Sequence, residues 1–329
     1  MARAWHLKSR PDGMPTAANF ELKTLADAPL GEGAIRVRNS WLSVDPYMRG
    51  RMNDVKSYVP PFQIDEPMTG GAVGEVIESR SPGFAVGDKV MHMGGWRDEA
   101  VVTPDMMPNK LPDIGVPIET WLHSLGLTGA TAYFGLLSAA RARAGDVVFV
   151  SAAAGAVGSA VVQIARARGM TVIGSAGGAA KCAWVKELGA EACIDYKAGP
   201  VLKQLQAAAP KGIDVYFDNV GGEHLDAAFA CARQEARFAI CGMIDAYNDG
   251  KPMALRYIMR VISQRIMMKG FIFTDYLPEM AAFHQEMGQW VASGAVQAKT
   301  TVRDGLEAAP DAFLGLFSGA NTGKMLVRL

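Results

Sequence analysis

Through the first third of the chain, apolar and polar residues alternate in short runs separated by turn signals: AIRVRNSWLSV (34–44), GGAVGEVIES (70–79), GFAVGDKVMHM (83–93) and EAVVT (99–103). Alternation with a period of two, interrupted by Gly, Pro, Asn and Asp, predicts half-buried strands of an all-β domain. From about Thr120 the pattern changes. Continuous apolar runs (VVFVS, TVIGS, ACIDY, IDVYFDNVG, RFAICG, IMMKGFIF) are separated by stretches with helical apolar spacing, GSAVVQIARARG, KCAWVKELG and GEHLDAAFACAR. That alternation predicts βαβ units around a parallel sheet. Beyond Phe273, PEMAAFHQEMGQWVASG reads as a helix and leads to DGLEAAPDAFLGLFSG; the final run KMLVRL reads as a strand returning to the β-rich domain.

Composition narrows the function classes. With 33 basic and 33 acidic side chains in 329 residues, the chain has no net field to recruit nucleic acid or anionic lipid. The opening MARAWHLKSRPDGMP lacks a signal-length apolar core, and no apolar stretch reaches membrane-spanning length, so a cytoplasmic protein is expected. Cys182, Cys193, Cys231 and Cys241 lie far apart without metal-ligand spacing, which predicts reduced, buried thiols.

The stretch SAAAGAVG (151–158) sits between a predicted strand and a predicted helix, the context a dinucleotide-binding turn requires. In the pattern GxGxxG, Ala153 takes the first glycine's place. Gly155 lets the backbone approach a pyrophosphate, and Gly158 lets the helix pack closely on the strand. The helix N-terminus supplies N–H groups and a positive dipole end, so Ala154, Gly155, Ala156, Val157 and Gly158 are the candidate phosphate-binding residues. An NAD-selective site carries an acid at the end of the second strand. Here that residue is Ser175; Lys181 follows within reach of the same loop and Tyr196 ends the third predicted strand as a second donor for a 2′-phosphate, so the expected cofactor is NADP(H).

A β-rich domain, a dinucleotide-binding domain and a returning tail together resemble the medium-chain dehydrogenase/reductase superfamily over essentially the whole chain. The zinc-dependent members' GHExxGxV segment corresponds to TGGAVGEV, with Gly70 and Gly71 in place of His and Glu, and no cysteine precedes Cys182. No metal is expected. The stretches VDPYMRGRM (44–52), GLTGATAYFGLL (126–137), AAAGAVGS (152–159), FDNVGGE (217–223), AICGMIDAYN (239–248) and NTGK (321–324) look like the zinc-free branch of NADPH-dependent double-bond reductases, which includes alkenal, curcumin and prostaglandin (leukotriene-metabolising) reductases. Between Ala176 and Lys181 the chain reads GGAA where those relatives often carry a serine and acidic residues.

The resemblance implies an α/β fold class: a GroES-like β-rich catalytic domain (1–122), a Rossmann-type doubly wound parallel sheet (123–292) and a C-terminal return (293–329). It further implies cofactor contacts from Asn219, Cys241, Gly242, Tyr247, Phe271, Ile272, Phe273 and Asn321, a small-molecule enal or enone substrate, and a homodimer built through the last strand of the nucleotide domain.

In double-bond reduction the nicotinamide delivers hydride to the β-carbon of an α,β-unsaturated carbonyl, and negative charge collects on the carbonyl oxygen. A neutral tyrosine hydroxyl suits that oxygen as a donor. Tyr247, in the loop after the fifth strand, is the first candidate, since ligands of open α/β sheets bind at the carboxyl ends of the strands. Tyr47 in VDPYMRG is the second. Arg49 and Arg51 read as structural or surface residues, with contact to a charged substrate as the alternative, and no Ser-His-Asp pairing or GxSxG elbow suggests a hydrolase. The loop from Asn248 to Arg265, with its Met, Leu and Tyr content, reads as an apolar wall of the substrate pocket. Two alternatives stay open: a quinone reductase of the same superfamily, and an NADPH-binding protein without catalysis.

Overall fold

The computed structural model describes residues 1–329 apart from Asp27 and Asp249. Among the described residues the chain forms two compact units, one of residues 1–122, 300–321 and 325–329, the other of 123–299 and 322–324.

The first unit opens with β1 (Arg3–Leu7), β2 (Phe20–Thr24), β3 (Ile35–Ser43), the short helix α1 (Met48–Arg51), β4 (Ala72–Ser79), β5 (Lys89–His92), β6 (Glu99–Val102) and β7 (Asn109–Lys110). The second contains α2 (Leu127–Phe134), β8 (Val147–Val150), α3 (Ala156–Ala167), β9 (Thr171–Ala176), α4 (Ala179–Glu187), β10 (Ala192–Asp195), α5 (Val201–Ala208), β11 (Ile213–Asp218), α6 (Gly222–Cys231), β12 (Ala232–Ile240), α7 (Arg260–Ser263), β13 (Met267–Gly270) and α8 (Met280–Ala292). The chain ends through β14 (Thr300–Asp304), α9 (Ala309–Ser318) and β15 (Lys324–Arg328).

The alternating runs of the first unit become a seven-stranded sheet in the order β14-β15-β3-β4-β5-β7, with β6 also paired to β3. The final apolar run pairs antiparallel with β3, Leu326 opposite Ser43. Trp96, Phe20 and Phe313 fill the core between this sheet and α9, with ring centroids about 6 Å apart.

In the second unit the strands are parallel, in the order β10-β9-β8-β11-β12-β13. Strand order reverses at β8, so the crevice at the carboxyl ends of β8 and β11 is the switch point where such sheets bind ligands. Phe149, Tyr216, Phe229 and Phe238 are fully buried on one side of this sheet, which explains why its strands read as continuous apolar runs.

The pattern and the structure differ in three places. The second unit runs on to Lys299 rather than ending at 292, because Gln163 exchanges hydrogen bonds with the Gln297 backbone, its amide donating at 2.9 Å and its carbonyl accepting at 2.7 Å. The sixth strand is only Met267–Gly270: Ile272 leaves the sheet to cap a 3-10 turn, donating its N–H to Asp275 Oδ2 at 3.1 Å. Finally, α5 was not expected.

Candidate cofactor and active site

The turn after β8 is tightly constrained. Ser151 is fully buried and Ala152 adopts a left-handed φ of 48°, unusual for a residue other than glycine. This conformation turns the chain so that Ala153 N–H reaches Ser175 O at 2.8 Å and Ala152 O accepts Gly155 N–H at 2.8 Å. Gly158 sits on that turn, and a Cβ there would collide with the Ala152 carbonyl and lie 2.8 Å from Ala153 Cα. The third glycine of the pattern is therefore a packing requirement. Gly155 is the N-cap of α3 and no side chain caps the helix, so the amides of its first turn point where an anion would sit. Gly323 N–H donates to Ala154 O at 2.8 Å, bringing Gly323 onto the same turn.

The loop after β11 is locked to that turn. Asn219 donates its backbone N–H to Ser151 Oγ and its side-chain amide to Ser151 O, each at 2.8 Å. Asp218, fully buried, accepts at Oδ1 from Tyr216 Oη (2.7 Å), Val220 N–H (2.9 Å), Gly221 N–H (2.8 Å) and Ser151 Oγ (3.2 Å), while Oδ2 has no partner. Burial raises its pKa and these donors offset only part of the rise. The Asp218 carbonyl accepts the N–H groups of Cys241 and Gly242, and Asn219 O and Val220 O accept those of Ile244 and Asp245. The two loops are thereby joined by main-chain bonds.

Tyr247 ends the 3-10 turn Ile244–Ala246 on this joined platform. Its hydroxyl lies over Gly242 and accepts Met243 N–H at 3.4 Å. The Cys241 thiol is pushed up to about 12, first by burial and then by Asp218, which keeps it protonated. Phe271 faces inward, its ring edge-on to Phe217 at 6.0 Å, so its side chain is part of the core. Ile272 and Phe273 start the turn described above.

At the other end of the site, Ser175 is fully buried and its Oγ shares a hydrogen bond with His224 Nε2 at 2.9 Å. Burial lowers His224 to about 4, so the imidazole is neutral. It stacks on Phe149 at 6.4 Å and meets the Tyr196 ring edge-on at 5.6 Å. Ser175 therefore points into the domain, and the residue following β9 on the surface is Gly177. Lys181 stands in the first turn of α4 and Tyr196 follows β10.

In the first unit Tyr47 precedes α1, and its buried hydroxyl has no hydrogen-bond partner of good geometry. Burial, then Asp45, pushes its pKa above the ordinary tyrosine range, partly opposed by Arg51. Arg49 donates to Asn53 Oδ1 and Gly13 O, each at 2.7 Å. Arg51 donates to Thr69 Oγ1 and Pro60 O, each at 2.9 Å, and stacks over Phe62. Both arginines hold chain segments together. His92 is buried between Asn39 Oδ1 and Gly94 N–H. No cluster of three or more His, Cys, Asp or Glu side chains placed for a metal occurs among the described residues, and Gly70 packs against Met48 and Trp96. Asn321 belongs to the first unit, two positions before Gly323. Within the 248–265 loop, Asp249 lies outside the described residues; Met253 and Leu255 pack on the core cluster beneath the sheet.

Sequence reading missed Ser151, Asp218 and His224 as site-building residues. The one available signal was a polar residue closing each of two otherwise apolar strands, VVFVS and VYFD.

Residues 3–109 match the family model described as the N-terminal domain of oxidoreductase, and 156–292 the model described as zinc-binding dehydrogenase. The chain belongs to the medium-chain dehydrogenase/reductase superfamily. It is 41% identical over 334 residues to the NADPH-dependent curcumin reductase of Escherichia coli (strain K12), covering 99% of this chain and 96% of that one. Its identity to the NADP(+)-dependent 2-alkenal reductase of Nicotiana tabacum is 38%, covering 98% and 95%. The crystal structure of CurA in complex with NADPH from Vibrio vulnificus matches with a TM-score of 0.93 and 42% identity over 99% of this chain and 98% of that chain. These relatives place the chain in the double-bond reductase branch. Quinone oxidoreductases share the architecture at 20–22% identity, which carries the fold alone.

Proposed function

We propose that this protein uses NADPH to reduce the carbon–carbon double bond of α,β-unsaturated aldehydes and ketones. The observation that carries the cofactor assignment is the uncapped first turn of α3 on a turn that leaves no room for a Cβ at Gly158, with no acid on the β9–α4 turn and Lys181 beside it. The residues present fit NADPH. Ala154 to Gly158 hold the pyrophosphate on backbone amides, Lys181 and Tyr196 take the 2′-phosphate, and Asn219, Cys241, Gly242 and Tyr247 line the nicotinamide side. Phe271 to Phe273 contribute main chain there, and Asn321 completes the contacts.

When bound, the nicotinamide supplies hydride to the β-carbon. The chain's own contribution is alignment and charge. Tyr247's hydroxyl accepts Met243 N–H, which fixes its orientation, and it serves as the donor to the carbonyl oxygen as negative charge collects there. Tyr47, whose buried hydroxyl has no partner of good geometry, is the second candidate donor. The mechanism asks nothing of a metal. Membership in the double-bond reductase branch favours this reading over quinone reduction, and the test is a comparison of NADPH oxidation with a 2-alkenal, an enone and a quinone.

We assign the first candidate donor, Tyr247, to the nucleotide-binding unit and the second, Tyr47, to the β-rich unit, and we place the protein in the cytoplasm; no helix among the described residues is long and apolar enough to cross a membrane. A homodimer formed at β13 is supported by its position at the end of the sheet and by exposed apolar side chains at Met259, Ile262 and Met268. Light scattering at micromolar concentration should give twice the chain mass, and a monomer removes the assignment.

A further inference from the structure

The 2′-phosphate end of the cofactor site contains a second lysine with no role so far. Lys197 follows Tyr196 in the turn after β10, and Asp195 fixes that turn: its Oδ1 accepts Gly178 N–H at 2.9 Å and Lys197 N–H at 3.0 Å. One carboxylate oxygen thereby ties the β9–α4 turn to the turn carrying both Tyr196 and Lys197. Their side chains run back across Gly177, where a Cβ would lie 2.6 Å from the Tyr196 hydroxyl and 3.0 Å from Lys197 Cε. Lys181 stands in the first turn of α4, whose N-cap is Gly178, the residue after Gly177. Its ammonium is held below the ordinary lysine range, first by burial and second by repulsion from Lys197. Two cations and a phenol hydroxyl thus gather around a glycine turn, while the hydroxyl near the carboxyl end of β9, that of Ser175, is engaged by His224 inside the domain.

We propose that Lys197 is a specificity-determining residue: the second cation for the ribose 2′-phosphate, reaching it from β10 as Lys181 reaches it from α4, across the room left by Gly177. A dianion between the two ammonium groups converts their mutual repulsion into paired attraction, so discrimination of NADPH from NADH is mainly electrostatic and weakens with salt. The proposal rests on the NADPH reading above and adds a residue to it.

The test is titration of wild type, Lys181→Ala, Lys197→Ala and Lys197→Arg with NADPH and NADH, and with adenosine 2′,5′-bisphosphate and 5′-AMP as probes of the adenosine end alone. Because Lys197 is exposed, Lys197→Ala should weaken NADPH and the bisphosphate by roughly three- to tenfold at low salt. NADH and 5′-AMP should be unaffected, the difference should shrink at high salt, and Lys197→Arg should keep most of the affinity. Equal weakening of NADPH and NADH means a structural role and overturns the proposal, as does no weakening of either. If Lys181→Ala is selective for NADPH and Lys197→Ala is not, the inference alone fails. If wild type binds NADPH and NADH equally, the cofactor reading fails with it.

Discussion

The two ends of the cofactor site are built by opposite means. Around Ser151 and Asp218 the site is an extension of the core: both residues are fully buried, the loops after β8 and β11 are joined through the Ser151 and Asn219 side chains, and those after β11 and β12 by main-chain bonds. At the adenosine end the groups that would meet a 2′-phosphate lie on the surface. Tyr196 is 42% exposed, and the turn that carries it and Lys197 is tied to the β9–α4 turn by Asp195 Oδ1 and by Tyr196 N–H on the Ala176 carbonyl at 3.3 Å. The part proposed to hold the pyrophosphate is thus inseparable from folding, whereas the part proposed to select NADPH is expected to change without disturbing the domain. Changes at the first end should reduce stability and the binding of both cofactors together; changes at the second should move selectivity alone.

Gly158→Val attacks the first end directly. Its side chain would meet backbone, the Ala152 carbonyl and Ala153 Cα, which cannot rotate away. We expect a loss of about 3 kcal/mol in denaturant unfolding, with binding of NADPH and NADH lost in parallel. Selective loss of one cofactor would break the comparison.

Tyr247→Phe lies on the same platform and removes only the hydroxyl, the proposed donor, which also accepts Met243 N–H. Turnover of an enone should fall roughly ten- to a few-hundred-fold, with NADPH affinity almost unchanged. Tyr47→Phe is the control: a larger loss there would move the carbonyl donor from Tyr247 to Tyr47, and no loss in either would leave both tyrosines as packing.

The smallest effect concerns Asp218. Its carboxyl has a folded-state pKa raised by burial, so the stability it contributes is present below the unfolded value and is lost as pH rises through the raised one. Asp218→Asn keeps an acceptor for Tyr216 and the loop amides and has no charge to bury. Thermal unfolding from acid to neutral pH should show the wild type losing stability relative to the variant as pH increases. Parallel curves would mean that the carboxyl titrates normally.

The parallel strands were legible because burial on both faces writes them as unbroken apolar runs between helical stretches. VLKQLQAA was not, since it is a short helix bracketed by Pro200 and Pro210 and reads as loop. IMMKGFIF suggested a longer strand than β13 because apolarity does not distinguish a strand from a chain that turns inward, as Phe271 does. Within the site, the glycine turn was read from its place between a predicted strand and helix, and the tyrosine loop from its place after the fifth predicted strand. The inward direction of Ser175 could not be read in this way: its partner His224 lies on α6, distant in sequence, and a strand-end serine faces either way until the register is known. The role of Asp218 was not legible either, its buried contacts coming from Tyr216, Ser151 and the loop it organises.

The central claim is reduction of a conjugated carbon–carbon bond with NADPH, and identification of the product tests it most directly. Purified protein incubated with a 2-alkenal and NADPH deuterated at the transferred position should yield the saturated aldehyde carrying one deuterium at the β-carbon, faster than it oxidises NADPH with a quinone. Formation of the allylic alcohol, deuterium at the carbonyl carbon, or turnover confined to quinones would contradict it.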